Sequence, residues 1–332
     1  WYNCISSFYR CVMAVINVTS FYPTFFILVG IPGLEASQHW LGIAFCSFYV
    51  IALLGNIMLI IVIISSPKLS EPMFTFLLVL AANDVLLSTS LAPKMLSILW
   101  SGSRIILFKA CLLQMFFIHS FSSFESGLLV AMAFDRYVAI CKPLRYSSIM
   151  TNRLIIRLAV AVFARPLFLI SPSIFLILKF RSFKTNVISH SYCEHMAVVK
   201  LANADTRVNS ALGLMVAFMF VGVDVILIIL SYAMIFCAVY RLPSTEARLK
   251  AFNTCTPHMC VFISFYATAM FSFLSHRVGK HIPSYIHIIL SDTYILIPSM
   301  LNPLVYGLKT KLIREEVWKH IAMVTACSWK GP

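Results

Sequence analysis

Asp135 and Arg136 stand side by side at the end of a long apolar run and are followed by Tyr137. An acid–base pair is costly to keep in hydrocarbon and easy to expose at its edge, so at a membrane exit it can serve as a switch. The chain then leaves the apolar phase through Lys142-Pro143-Leu144-Arg145. Two more acids, Asp84 and Glu125, lie inside apolar runs, where a carboxylate is a functional candidate by default. Ten cysteines are scattered along the chain with none of the C-x-x-C spacing of a zinc site. Cys46, Cys141, Cys237, Cys255 and Cys260 fall in or beside apolar runs, where cysteine is a small hydrophobe. Cys111 and Cys193 sit in loop-like surroundings instead. No metal-spaced or nucleophile-spaced constellation supports an enzyme.

The elements that must position these residues are membrane helices. Of 332 residues, 60% are hydrophobic and 11% charged, with a mean hydropathy of +0.90. A soluble domain is usually about a quarter charged. The net charge is +14, from 26 Lys and Arg against 12 Asp and Glu. These bases lie in short loops between apolar runs and form no single patch, so the expected partners are anionic lipid headgroups and not nucleic acid. A helix needs about 20 mostly apolar residues to cross the hydrocarbon core. Seven runs qualify, at 41–64, 73–96, 112–134, 154–178, 210–240, 255–275 and 284–307. The seventh is the weakest, because it carries His287, Asp292 and Asn302.

The fold class is thus an all-α membrane protein, a bundle of seven helices. Residues 1–40 form an outer N-terminal segment, of which 1–12 read as an extension outside the natural start. Residues 41–307 form the membrane domain, and 308–332 a cytoplasmic tail. Asn17-Val18-Thr19 is the chain's one N-glycosylation sequon and sets the N-terminus outside. The positive-inside bias of the loops agrees with this orientation but is slight. Lys309 to His320 mixes Leu312, Ile313, Val317 and Trp318 with charges, the pattern of a short amphipathic helix on the inner membrane surface.

The third run sets the scale. Cys111 and Arg136 are 25 residues apart, about 37 Å on one helix, more than the ~30 Å apolar core. They belong at opposite faces, with His119 about 12 Å below Cys111 and Glu125 near mid-membrane.

MAFDRYVAICKPLRY at 132–146, Gly55-Asn56, Leu80 to Asp84, and Pro298 to Tyr306 together resemble the rhodopsin-like receptors. Pro72-Met73-Phe74, Ser231-Tyr232, Lys250 to Cys255 and Phe265-Tyr266 narrow the resemblance to olfactory receptors. Phe26 to Glu35, Cys111 to His119, Ser189 to His195 and His276-Arg277 are similar to their class I, fish-like branch. The likeness covers residues 15–320.

The resemblance implies a disulfide between Cys111 and Cys193, tethering the second outer loop over a ligand pocket. It implies a pocket lined or capped by His119, His195, Tyr266, Phe273 and Arg277, with Phe116, Ser120 and Ser123 as helical neighbours of His119. Ile118 stands where amine receptors carry an aspartate, which disfavours amines. Arg277 could hold a carboxylate bidentately, and Phe273 one turn below would shorten the pocket, so small acids or alcohols are the expected odorants. The inner switch is Asp135, Arg136, Tyr137, Asn302, Pro303 and Tyr306. Asp84 and Glu125 match a sodium site; the alternative is a protonated carboxyl bonded to its neighbours. No cofactor is required beyond such an allosteric sodium ion. The implied partners are a small-molecule odorant and a heterotrimeric G protein of the stimulatory, olfactory type that raises cyclic AMP, and the implied place is the plasma membrane.

The sequence departs from the family in two respects. Phe183 and Asn203 stand where further loop cysteines are usual, and Pro257 stands where serine is usual, deleting a backbone donor in the sixth helix. Two rival readings remain open: a non-olfactory rhodopsin-like receptor for a small metabolite, and a transporter, although no internal repeat of a transporter kind is present.

Overall fold

A computed structural model describes residues 21–278 and 283–328, with all side chains there except those at 221, 274–278 and 323–328. The chain is laid out as long helices: α1 (Gln38–Ser65), α2 (Pro72–Ser101), α3 (Phe108–Cys141), α4 (Asn152–Leu178), α5 (Arg207–Tyr240), α6 (Thr245–Val278), α7 (Ser284–Lys309) and α8 (Lys311–Ser328). Most run several residues past the apolar stretches that announce them, because the helical backbone continues into the headgroup region where polar side chains are welcome. Pro72 starts α2 from its first position, where no amide partner is lost, and Gly102 closes it in the left-handed conformation at φ 64°. Thr151 caps α4, accepting from the Leu154 amide at 3.3 Å.

Six of the helices, α1 to α5 and α7, are long and apolar enough on their own to cross a membrane. The seventh apolar run is thus sufficient despite its polar residues. The sixth carries Glu246, Arg248 and Lys250 on its first turns and is a packed member of the bundle, set against α7, α3 and α5. Pro257 does not break it, and α6 is continuous from Thr245 to Val278. Helix α3 is the axis: 72% of its apolar stretch is buried, against 11% for α4 and 12% for α5, whose apolar faces are left to lipid.

A small sheet caps the outer side, which helical periodicity does not announce. Strand β1 (Phe25–Leu28) lies between β2 (Ile105–Leu107), antiparallel to it, and β3 (Val187–Ile188), parallel to it. The N-terminal segment thereby ties the first outer loop to the second. Just beyond β1, Gly30 has φ 80° and its missing Cβ would sit 2.9 Å from Ile98, so the close approach requires glycine.

The second outer loop is fastened at several points. Cys111 and Cys193 form a disulfide with a Cα–Cα distance of 5.5 Å. The Cys193 amide donates to Gln114 Oε1 at 3.2 Å, and Ser191 Oγ donates to Asp292 Oδ1 of α7 at 2.6 Å. Phe183 is buried among Tyr22, Phe26, Phe108 and Phe180, and the Asn203 amide bonds the Ser182 carbonyl at 3.0 Å. Aromatic packing and backbone pairing therefore join the two positions where loop cysteines would otherwise stand. On the inner side α8 folds back onto α1, with Glu316 accepting from Ser66 Oγ at 3.1 Å and from Lys319 Nζ at 2.6 Å. Its Ile313 is fully buried while Trp318 stays exposed, the two faces of an amphipathic helix.

Candidate functional site

A cavity of about 430 Å³ opens in the outer half of the bundle. Met115 and His119 of α3 form one wall, Ile170, Ser173 and Ile174 of α4 a second, and α5 from Ser210 to Phe220 a third. Helices α6 and α7 close it with Phe265, Tyr266, Ala269, Ser272, Phe273, Ser291 and Tyr294, and the second outer loop roofs it with Tyr192, Glu194, His195, Met196 and Lys200. The size and apolar lining with few polar groups are those of a small-ligand site.

Of the residues singled out in the sequence, the cavity brings together His119, His195, Tyr266 and Phe273. Phe116, Ser120 and Ser123 are not among its walls: Phe116 packs on Phe117, and Ser120 and Ser123 are buried in the bundle. At 100° per residue, the steps from His119 to Phe116 and Ser120 turn away from the cavity, and Ser123 is one turn deeper. The side chain of Arg277 lies outside the described residues, as does Asn17. Lys200, exposed at the roof, is a cation at the cavity that sequence reasoning passed over as a loop base.

The roof is electrostatically tuned. Glu194 caps the short helix His195–Val199, accepting from the Ala197 amide at 2.6 Å. Burial raises its carboxyl, but His190 and the amides of Met196 and Ala197 outweigh that and hold it below the ordinary carboxylate range. Burial lowers His195 against the upward pull of Glu194, so its imidazole is neutral at physiological pH. Neither His119 Nε2 nor His195 Nε2 has a hydrogen-bond partner among the described residues. Two buried nitrogens at the cavity are thus left for a polar ligand group.

Below the cavity four helices meet in one polar chain. Arg165 Nη2 of α4 pairs with Asp224 Oδ2 of α5 at 2.7 Å. Ser126 of α3 donates to the same oxygen, and Tyr266 of α6 lies 2.9 Å from Ser126 Oγ. The Arg165 guanidinium also sits 4.9 Å from the centre of the Phe220 ring. Asp224 follows a π-helical turn at Phe218–Val223, an irregularity frequent at functional sites. A charge of each sign inside two neighbouring spans was the available signal for this pair.

At the inner end, Asp135 holds Arg136 through its Nε at 2.9 Å, and Tyr146 donates to the other carboxylate oxygen at 2.7 Å. Burial, then the bond to Asp135, raises the Tyr146 phenol, so it stays a donor. Tyr306 Oη is 3.1 Å from His258 Nδ1, and both are buried. Tyr137 turns aside, with Lys142 Nζ 5.9 Å from its ring centre.

A family model described as olfactory receptor matches residues 45–323. The human olfactory receptor 52A1 is 53% identical, covering 92% of this chain and 99% of its own. The human olfactory receptor 52A5 is 52% identical, covering 92% and 98%. The chain belongs to the olfactory receptor family. The crystal structure of squid rhodopsin shares the fold with a TM-score of 0.69 at 18% identity, covering 93% of each chain. This olfactory receptor is therefore a multi-pass membrane protein of the G-protein-coupled class, not an enzyme.

Between cavity and switch the receptor holds its two buried acids. Asn302 Nδ2 donates to Asp84 Oδ2 at 2.9 Å, and Glu125 lies near both residues. Among the described residues Asp84 Oδ1, both Glu125 oxygens and Asn302 Oδ1 have no hydrogen-bond partner. An all-oxygen set with two acids fits a hard cation. Pro303, one residue on, removes the amide that would bond the Ser299 carbonyl, and Asn56 Nδ2 takes that carbonyl at 2.9 Å.

Proposed function

We propose that this receptor binds a small odorant in the cavity roofed by the second outer loop and activates a stimulatory, olfactory-type G protein, raising cyclic AMP. The observation that carries the reading is the pair of unpaired imidazole nitrogens, on His119 and His195, in an otherwise largely apolar cavity. Such a site favours a short aliphatic ligand with one polar end, a carboxylate or a hydroxyl. Lys200 at the roof, together with Arg277 as the family resemblance implies, would steer an anionic end inward.

Coupling is a population shift: the odorant must bind the signalling arrangement better than the resting one. In the resting arrangement Asp135 and Tyr146 restrain Arg136. Its release, with inward movement of Tyr306, would offer Arg136, Lys142, Arg145 and Arg248 to the G protein. A sodium ion between Asp84 and Glu125 would stabilise the resting state by neutralising two acids in hydrocarbon. Under this reading the receptor acts in the plasma membrane with its N-terminus, and Asn17, outside.

The test is a cyclic-AMP reporter screen of the surface-displayed receptor with straight-chain acids, alcohols and aldehydes. A concentration-dependent rise for at least one class supports the reading. Basal signal across the whole panel, at verified display, would sink it.

A further inference from the structure

The polar chain beneath the cavity fixes the direction of a hydrogen bond that the ligand meets. A serine hydroxyl carries one proton. Ser126 spends its proton on Asp224 Oδ2, because a carboxylate paired with the Arg165 guanidinium can only accept. At 2.9 Å the remaining bond between Ser126 and Tyr266 must then be donated by the tyrosine. Protons therefore run one way, from Tyr266 to Ser126 to Asp224. Tyr266 lines the cavity, and no second hydrogen bond to its oxygen occurs among the described residues.

From this we infer that Tyr266 presents only lone pairs to the cavity, so that among neutral odorants the receptor selects those whose polar end donates a hydrogen bond there: aliphatic alcohols over ethers or ketones of the same size. Ser126, Asp224 and Arg165 are positioning residues for this choice, since none of them is a wall of the cavity. The ion pair is held in place from the cavity side as well, because the guanidinium packs on Phe220, itself a wall. A neutral imidazole offers one donor and one acceptor and does not discriminate in this way. The discrimination thus falls to the phenol.

The inference rests on an odorant occupying this cavity. The probes are isomeric pairs, a 1-alkanol and a methyl alkyl ether of four to nine carbons, applied to cells displaying the full chain with a cyclic-AMP reporter. Wild type responds to the alkanol at a concentration about three- to tenfold lower than to its isomer, the worth of one neutral hydrogen bond. In Ser126→Ala the tyrosine proton is released, and the ratio falls to about one because the ether gains potency. In Tyr266→Phe the ratio also falls, but because the alkanol loses potency. A wild-type ratio of one or less, or a ratio unchanged in Ser126→Ala at normal display, overturns the proposal while the odorant reading stands. Silence of displayed wild type toward these pairs and toward straight-chain acids overturns the odorant reading, and this proposal with it.

Discussion

The side-chain amide of Asn56 donates at 2.9 Å to the backbone carbonyl of Ser299, the carbonyl that Pro303 leaves without a helical partner. The same amide holds the Ala52 carbonyl of its own helix at 2.8 Å, so one side chain staples α1 to the proline break in α7. Gly55 permits the approach: a Cβ there would lie 2.8 Å from the Pro303 ring. Asn56→Leu strands a buried acceptor and should cost about 1–3 kcal/mol. Thermal unfolding of purified receptor reads this as a lower midpoint, and an unchanged midpoint would show that the staple is dispensable.

The Arg165–Asp224 pair is buried in hydrocarbon, with side-chain exposures of 18% and 6%. Removing one partner leaves the other charged and alone, at a cost of roughly 3–5 kcal/mol. Arg165→Met and Asp224→Leu should each sharply reduce surface display, whereas the double variant should recover most of it. Flow cytometry of tagged receptor decides this; additive losses would mean the two residues do not act as a pair.

Tyr146 adds a second hold on Asp135 beyond Arg136 itself. Tyr146→Phe deletes one bond worth about 1 kcal/mol and should raise ligand-free cyclic AMP by about fivefold at matched display. A basal signal equal to or below wild type would place the restraint of Arg136 elsewhere.

His195 is buried with its folded pKa below the ordinary value of 6.5. The unfolded chain then binds more protons than the folded one as pH falls below about 6.5, so stability is lost toward acid. The unfolding midpoint should drop between pH 7.5 and 5.5, and His195→Gln should flatten that slope. An equally steep slope in the variant would remove His195 as its source.

The helices, the placing of Cys111 and Arg136 at opposite faces, and the amphipathic α8 were legible because each follows from apolar length or a fixed rise per residue. The outer sheet was not, since β1, β2 and β3 are four, three and two residues long and carry no periodic signal. The cavity was half legible. His119, His195, Tyr266 and Phe273 meet there, yet Phe116, Ser120 and Ser123, neighbours of His119 in sequence, do not line it. Helical adjacency alone does not say which sector of α3 faces the opening. Pairings such as Arg165 with Asp224, or Tyr146 with Asp135, join distant segments or depend on how a turn folds back. Sequence can flag their charge but not their partner.

In the proposed function the cavity behind His119 controls the switch at Arg136. The cyclic-AMP concentration–response of His119→Phe reads this control, with Arg136→Ala as its counterpart, each at matched surface display and with the most potent acid or alcohol of the panel. Filling the cavity should shift the response at least about tenfold without abolishing ligand-free signal, as loss of a buried polar contact plus steric block requires. Arg136→Ala should remove the response at every concentration. A His119→Phe curve superimposable on wild type would show that this cavity does not control the switch.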